Sequence, residues 1–128
     1  IGSHIARAFH ALALHETRAA FAPVLWETPE GRAGVVEQVW FRGAHGDVGG
    51  QVGAHPASRP LSNIPLVWML GRLEGCGLPL PAGWPLRFPC DPAAPAIGTD
   101  APARFRFGTK RERATLGPIP RFGRRGAP

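Results

Sequence analysis

The chain has 128 residues, of which 44% are hydrophobic, enough for one small domain or for part of a larger one. Its 17 glycines and 15 prolines together make up a quarter of the residues, which predicts many turns and few long regular elements. No apolar run approaches the roughly 20 residues that a membrane-spanning helix needs, and no signal peptide is visible. The composition therefore argues against a helical membrane protein.

The positive charge is concentrated at the C-terminal end. Residues 104–125 include eight Lys or Arg and one Glu, a net charge of +7, whereas the whole chain carries +6. A basic run without regularly spaced aromatic residues is typical of a solvated tail, and less often of attachment to nucleic acid or to an anionic membrane. We expect a flexible tail that can contact an anionic membrane surface, and no nucleic-acid partner.

The chain is predicted to begin with a helix. Ser3 can cap a helix that runs to about Arg18, because Ile5, Phe9 and Leu12 recur at helical spacing. Since this helix starts within the first few residues, we expect the chain to be part of a larger fold. Proline interrupts the apolar residues 21–26, which predicts an extended segment, and residues 28–34 are predicted to form a turn.

The histidines and cysteines do not predict a metal site. His4, His10 and His15 are spaced six and five positions apart and do not share one helical face. We expect His10 to be a partly buried hydrogen-bonding residue and the other two to lie at or near the surface. Cys76 and Cys90 belong to no CxxC motif, so we expect reduced thiols rather than a zinc site or a disulfide framework. We expect no cofactor and no metal.

The most informative stretch is residues 35–50, VVEQVWFRGAHGDVGG. Odd-numbered side chains from Val35 to Phe41 face one way and even-numbered ones the other, which predicts a strand packed on both faces and ending near Arg42. A glycine-rich loop follows, and it carries one imidazole and one carboxylate, those of His45 and Asp47. Open α/β sheets place their chemistry on loops at the ends of buried strands.

One helix and a proline-rich extension are predicted after the loop. Ser62 or Asn63 can cap a helix that tolerates Pro65 in its first turn and ends at Gly75. Repeated prolines after residue 78 forbid long regular elements. The predicted organisation is part of an α/β domain at residues 1–77, a proline-rich wrap or linker at 78–103 and a flexible basic tail at 104–128.

Four interpretations of the glycine loop are compatible with its residues. A phosphate-binding loop would need a GKS/T or GxGxxG pattern, which residues 46–53 lack. A divalent metal could bind His45 and Asp47 together with Asp91 or His55, although there is no dense ligand cluster. A purely structural loop would use Asp47 to accept backbone amides and leave His45 incidental. A catalytic triad would use His45 as general base, since α/β-hydrolases carry this histidine on a loop after a late strand.

Four blocks of the sequence resemble a known family. The blocks are FHALALHE (residues 9–16), FAPVLW (21–26), QVWFRGAHGDVGG (38–50) and LSNIPLVWML (61–70). In content and order they are similar to the C-terminal part of the α/β-hydrolase domain typified by type VI secretion lipase effectors. The resemblance covers roughly residues 5–77. It implies an incomplete α/β-hydrolase-like domain, with a late strand, the histidine loop and flanking helices, and phospholipase activity through a Ser-Asp-His triad.

The resemblance implies unequal roles for the two loop residues. His45 corresponds to the family's histidine and is the candidate general base, whereas Asp47 is better placed to brace the loop than to act as the triad acid. No serine lies in a G-x-S-x-G motif, so we expect the nucleophile and the acid upstream of Ile1 and no catalysis by this chain alone. Departures from the family pattern at His15 and Gly46 suit the alternative, a non-catalytic hydrolase remnant or interaction module.

The resemblance also implies partners and a location. The expected substrate is a phospholipid or another ester, and no residue that binds it can be identified. A component of the secretion apparatus or an immunity protein is the expected protein partner, with an envelope partner in the non-catalytic alternative. We expect the chain to be cytoplasmic in the producing bacterium and to be exported to a target-cell envelope.

Overall fold

The computed structural model describes residues 1–28 and 30–99. The basic tail predicted at residues 104–128 lies outside these described residues. Within them, the regular elements are strand β1 (Ala8–Ala13), strand β2 (Val36–Phe41), the one-turn helix α1 (His45–Val48) and helix α2 (Arg59–Glu74). Short 3₁₀-helices lie at Ala19–Phe21, Pro56–Ser58 and Trp84–Arg87.

The two strands form a parallel pair. Ala13 at the end of β1 lies opposite Phe41 at the end of β2. The contact continues past the strands, where the His15 amide donates to the Gly43 carbonyl at 2.9 Å. Because the strands run in the same direction, their carboxyl ends meet at the same edge of the sheet, and the residues that follow both strands are brought together there.

The predicted helix from Ser3 to Arg18 is wrong, because residues 8–13 form β1. Phe9 contacts Trp68 of α2, with 6.3 Å between ring centroids, while Leu12 is buried on the opposite face. The apolar residues of this segment recur at helical spacing, but they do not lie on one face of a helix. The backbone of this alanine-rich segment instead pairs with β2, far along the chain, and tertiary pairing of this kind overrides weak local preference.

The strand prediction for residues 35–42 is confirmed. Phe41 packs on Trp68 of α2, with ring centroids 5.3 Å apart. Gln38, on the other face, accepts a hydrogen bond from the Trp26 amide and donates one to the Trp26 carbonyl, both at 2.9 Å. Each face of the strand is therefore in contact with another segment, α2 on one and the extended segment around Trp26 on the other, but its residues are at most half-buried and Trp40 is exposed.

The predictions for the three N-terminal histidines are also confirmed, although the secondary structure differs. His10 is half-buried, its Nδ1 lies 3.2 Å from Gln38 Oε1, and its ring stacks on Trp26 with centroids 4.4 Å apart. His4 and His15 are exposed. The side-chain environment of His10 comes from the sheet face rather than from a helix.

Helix α2 begins at Arg59, before the predicted caps Ser62 and Asn63. The proline of its first turn is therefore Pro60, and Pro65 lies in the helix interior, where it removes one backbone hydrogen bond. The end of α2 agrees with the predicted stop at the following glycine. No helix in the described part of the chain is long and apolar enough to cross a membrane.

The proline-rich segment returns to α2 and is attached to it. The Trp84 indole is buried and its Nε1 donates to the Glu74 carboxylate at 3.1 Å. Asn63 Nδ2 donates to the Pro89 carbonyl at 2.8 Å. Leu86, two residues after Trp84, is 88% exposed. The segment is thus an ordered covering up to residue 99 that leaves part of its apolar surface in solvent.

The small core makes Leu12 a sensitive position. Leu12 is 2% exposed, so Leu12→Ala should lower the free energy of unfolding by about 2–5 kcal/mol, the usual effect of truncating a buried leucine. Leu86→Ala is the matched control, since an exposed leucine should change the value by less than about 0.5 kcal/mol. Urea unfolding followed by tryptophan fluorescence measures both. Equal effects of the two substitutions would contradict the described core.

Candidate active site

His45 lies at the carboxyl edge of the parallel sheet. Strand β2 ends at Phe41, and after a short turn the chain enters α1, whose first residue is His45. The predicted tight loop therefore contains one helical turn. The imidazole is exposed, and within the described residues neither ring nitrogen hydrogen-bonds to the protein. A substrate or another catalytic group can reach this side chain.

The turn between β2 and α1 depends on Gly43. Its φ of +116° is a backbone conformation that other residues rarely adopt. A Cβ atom at this position would lie only 2.5 Å from the Cβ atom of Asp47. Glycine therefore allows the chain to turn sharply while the Asp47 side chain folds back against the turn.

Asp47 is buried, with 1% of its surface exposed, and its carboxylate accepts three backbone amides. Oδ2 accepts the amides of Ala44 at 2.9 Å and Gly98 at 3.1 Å, and Oδ1 accepts that of Ile97 at 2.8 Å. The first bond closes the turn before α1, and the other two attach the end of the proline-rich segment. The carboxylate is thus directed at main-chain amides and not at the imidazole of His45.

Arg42 makes a second connection between the loop and the proline-rich segment. Its Nη1 donates to the carbonyl of Pro92 at 3.0 Å and to that of Ala94 at 2.7 Å. Arg42 immediately precedes the turn, whereas Asp47 lies inside α1. Residues 92–98 are therefore attached to the histidine loop on both sides of the turn.

Glu16, which follows β1, reaches the same edge of the sheet. Its carboxylate accepts two bonds from the Arg18 guanidinium at 2.9 and 2.8 Å and one from the Arg18 amide at 2.8 Å. A fourth bond, at 3.0 Å, comes from the amide of His45. The Glu16 side chain is only 3% exposed. This carboxylate therefore links the end of β1 to the first residue of α1.

Phe21 packs directly on the candidate base. The rings of Phe21 and His45 lie 4.5 Å apart between centroids and 28° from parallel. The guanidinium carbon of Arg18 lies 4.3 Å from the centroid of the same Phe21 ring. Glu16, Arg18, Phe21 and His45 thus form one connected cluster at the edge of the sheet.

The sequence prediction missed Glu16, Arg18 and Phe21 as neighbours of His45. Placing Glu16 on a helix separated it from the loop that follows β2. The available signal was the order of the elements: if residues 8–13 are a strand parallel to β2, the residues that follow both strands meet at one edge.

The residues weighed for a metal do not converge in the described part of the chain, where no group of three or more His, Cys, Asp or Glu side chains could hold a metal ion. Asp47 is occupied by amides, and Asp91 Oδ1 accepts the amide two residues further on at 2.8 Å. Cys76 and Cys90 are exposed free thiols.

The environment of Glu16 changes its acidity. Burial by itself raises the pKa of this carboxyl group. The hydrogen bonds from the guanidinium and amide of Arg18 and from the amide of His45, together with the Arg18 charge, outweigh that effect and lower the pKa from 4.5 to about 2. Glu16 is therefore ionised over the whole physiological range.

This pKa predicts an acid-sensitive contribution to stability. Because the pKa in the folded state lies below the value of 4.5 in the unfolded chain, Glu16 stabilises the fold fully above that pH, and the contribution is lost as the pH falls toward about 2. Glu16→Gln should lower the free energy of unfolding by about 2–3 kcal/mol at neutral pH and by less near pH 3. Denaturant unfolding at both pH values measures the difference.

Glu37→Gln is the matched control for Glu16→Gln. Glu37 pairs with Arg72 at 2.8 Å, but both side chains are substantially exposed, so we expect a change below about 1 kcal/mol. An effect of Glu16→Gln that is as small as that of the control, or independent of pH, would contradict the described environment of Glu16.

Asp47→Asn should loosen the contact between α1 and the proline-rich segment. Asparagine has one acceptor oxygen in place of two, and its NH₂ group would face amides that also donate. We expect hydrogen exchange at the amides of Ile97 and Gly98 to rise by roughly 10- to 100-fold. Asp91→Asn, which removes charge from an exposed carboxylate of the same segment, should leave these amides unchanged. Equal exchange in the two variants would contradict the bracing contacts.

A known protein family matches the part of the chain that contains the candidate site. The family described as "T6SS, Phospholipase effector Tle1-like, catalytic domain" matches residues 1–72. No curated protein and no solved structure matches the chain. The family match covers more than half of the sequence and includes both strands, α1 and most of α2. The chain therefore belongs to the family of Tle1-like phospholipase effectors of type VI secretion systems, within their catalytic domain.

Proposed function

We propose that this chain is the histidine-bearing part of an α/β-hydrolase-like serine esterase that acts on phospholipids or other lipid esters. Membership of a phospholipase effector family supports the class of reaction. The observation that carries the proposal is the position of His45, an exposed imidazole on the first residue after the turn that follows a parallel strand. Enzymes with open α/β sheets gather catalytic groups at this edge.

His45 is proposed to act as the general base and then as the general acid. A serine hydroxyl attacks the acyl carbonyl while the imidazole accepts the proton of that hydroxyl. The imidazolium then donates the proton to the oxygen of the departing alcohol. Water attacks the acyl-serine in a second cycle with the same proton transfers, which regenerates the serine.

The nucleophile is proposed to lie outside these 128 residues. The serines of the chain are Ser3, Ser58 and Ser62, and none belongs to a G-x-S-x-G motif. Ser58 and Ser62 are in addition only 3% exposed, which withholds their hydroxyls from a substrate. The chain by itself is therefore expected to hydrolyse no ester, and the serine and the triad acid are expected upstream.

Asp47 is proposed to brace the loop and not to serve as the triad acid. A triad acid must accept a hydrogen bond from the imidazole in order to orient it. The three amides that the Asp47 carboxylate accepts support the bracing role. The acid that orients His45 would come from the same upstream region as the serine.

The proposed function includes a membrane surface, a site of action and a protein partner. The basic run at residues 104–125, outside the described residues, is proposed to attract the protein to anionic lipid surfaces. Membership of an effector family supports export from the bacterial cytoplasm to a target-cell envelope. A component of the secretion apparatus or an immunity protein is the proposed protein partner.

His45→Ala tests the proposed base. The variant is made in the longest open reading frame that contains this chain, and fatty-acid release from phosphatidylglycerol and phosphatidylethanolamine vesicles is measured. We expect kcat to fall by about 10³-fold or more, as when a triad histidine is removed. The thermal unfolding temperature should change little, because the imidazole is exposed.

His55→Ala is the control, since His55 is exposed and its structural contacts are made by its backbone. It should leave the rate of hydrolysis unchanged. A His45→Ala enzyme that keeps its activity would refute the assignment of the base. A reading frame with no G-x-S-x-G motif and no hydrolysis would instead favour the non-catalytic interaction module.

A further inference from the structure

We infer that Glu16, Arg18 and Phe21, hereafter the clamp residues, position the imidazole of His45 for proton transfer. This inference rests on the proposed role of His45 as the base. The clamp residues act through His45 and are assigned no contact with the substrate. They are therefore positioning residues. Their removal should lower the fraction of molecules in which the His45 imidazole is oriented for proton transfer.

The first constraint acts on the backbone of His45. The opening amides of a helix have no acceptor within the helix, and in α1 the first of them donates to Glu16 Oε2. That oxygen also accepts Arg18 Nη2 at 2.8 Å, while Oε1 accepts Arg18 Nε and the Arg18 amide. Because four hydrogen bonds hold a carboxylate that is only 3% exposed, the Cα atom of His45 is held relative to the end of β1.

The second constraint acts on the imidazole ring. Phe21 lies nearly parallel to it at 4.5 Å, close enough for direct contact between the two rings. Phe21 belongs to the 3₁₀-helix Ala19–Phe21, and the Arg18 guanidinium packs on the same phenyl ring at 4.3 Å. Since Arg18 is also bound to Glu16, the backbone constraint and the ring constraint are connected through one arginine.

These two constraints restrict an otherwise exposed side chain. An exposed histidine normally samples several rotamers, and each one that turns the imidazole away from the serine is unproductive. When the imidazole is already held in one orientation, no conformational entropy of this side chain is lost when the reaction begins. Loss of the clamp should therefore lower kcat and leave KM nearly unchanged, because substrate binding does not use these residues.

The clamp can first be tested on the 128-residue chain, without any activity. Carbon–proton NMR at a fixed pH above the range in which imidazoles titrate reports the ring protons of His45. The face of Phe21 should shift these protons upfield, and Phe21→Leu should remove the shift. Glu16→Gln and Arg18→Met should reduce it, whereas Phe21→Tyr should retain it. Phe88→Leu and Glu37→Gln, which alter an aromatic pair and an ion pair elsewhere, are the matched controls and should leave it unchanged.

The same variants are then assayed in the reading frame used for His45→Ala. We expect Glu16→Gln, Arg18→Met and Phe21→Leu to lower kcat by roughly 10- to 100-fold with KM within about threefold of the parent value. Phe21→Tyr should recover most of the rate, and the controls should match the parent. Because Phe21→Leu leaves the Glu16 hydrogen bonds in place, it remains informative even if Glu16→Gln weakens folding.

Each contrary result has a distinct meaning. Ring-proton shifts of His45 that do not respond to Phe21→Leu would overturn the clamp whatever the enzyme assay gives. Unchanged kcat in the three clamp variants, alongside an inactive His45→Ala enzyme, would overturn positioning and leave the base in place. A fully active His45→Ala enzyme would refute the base itself and, with it, the role inferred for the clamp.

Discussion

The candidate site depends on the parallel pairing of β1 with β2. The register places Ala13 opposite Phe41, so the segments that leave the two strands emerge at the same edge of the sheet. Glu16 leaves from one strand and His45 from the other, and a hydrogen bond joins them. An antiparallel pairing of these strands would place the two residues at opposite ends. The histidine environment is therefore a consequence of strand direction and register more than of the loop sequence alone.

Two carboxylates, those of Glu16 and Asp47, hold the histidine loop through hydrogen bonds to different segments. Glu16 attaches the first residue of α1 to the segment that follows β1. Asp47 attaches α1 to residues 97 and 98 of the proline-rich segment. Both carboxylates accept backbone amides, and neither contacts the imidazole nitrogens. The segment held by Asp47 lies beyond the part of the chain that matches the family, residues 1–72. The loop thus uses contacts both inside and outside the matched region.

Local patterns in the sequence predicted some elements and failed for others, for physical reasons. The alternation of side chains between two faces predicted β2, and the apolar run followed by a glycine predicted the end of α2. Both signals lie within the segment that they describe. The prediction for residues 8–13 failed, since their three alanines favour a helix locally and the pairing with β2 overrode that preference. The loop between β2 and α1 was recognised from its glycines, but the contact between Glu16 and His45 crosses 29 positions and depends on the register that was not predicted. Pro65 was assigned to the first turn because the helix start at Arg59 carries no strong local signal.

We propose that His45 is the base for a serine nucleophile that residues outside this chain supply. The most direct measurement is the rate at which a fluorophosphonate probe labels that serine in the full reading frame, with the labelled residue located by mass spectrometry. We expect labelling at a serine other than Ser3, Ser58 and Ser62, slowed by about 10³-fold in His45→Ala. Labelling at one of those three serines, or at an unchanged rate in His45→Ala, would contradict it.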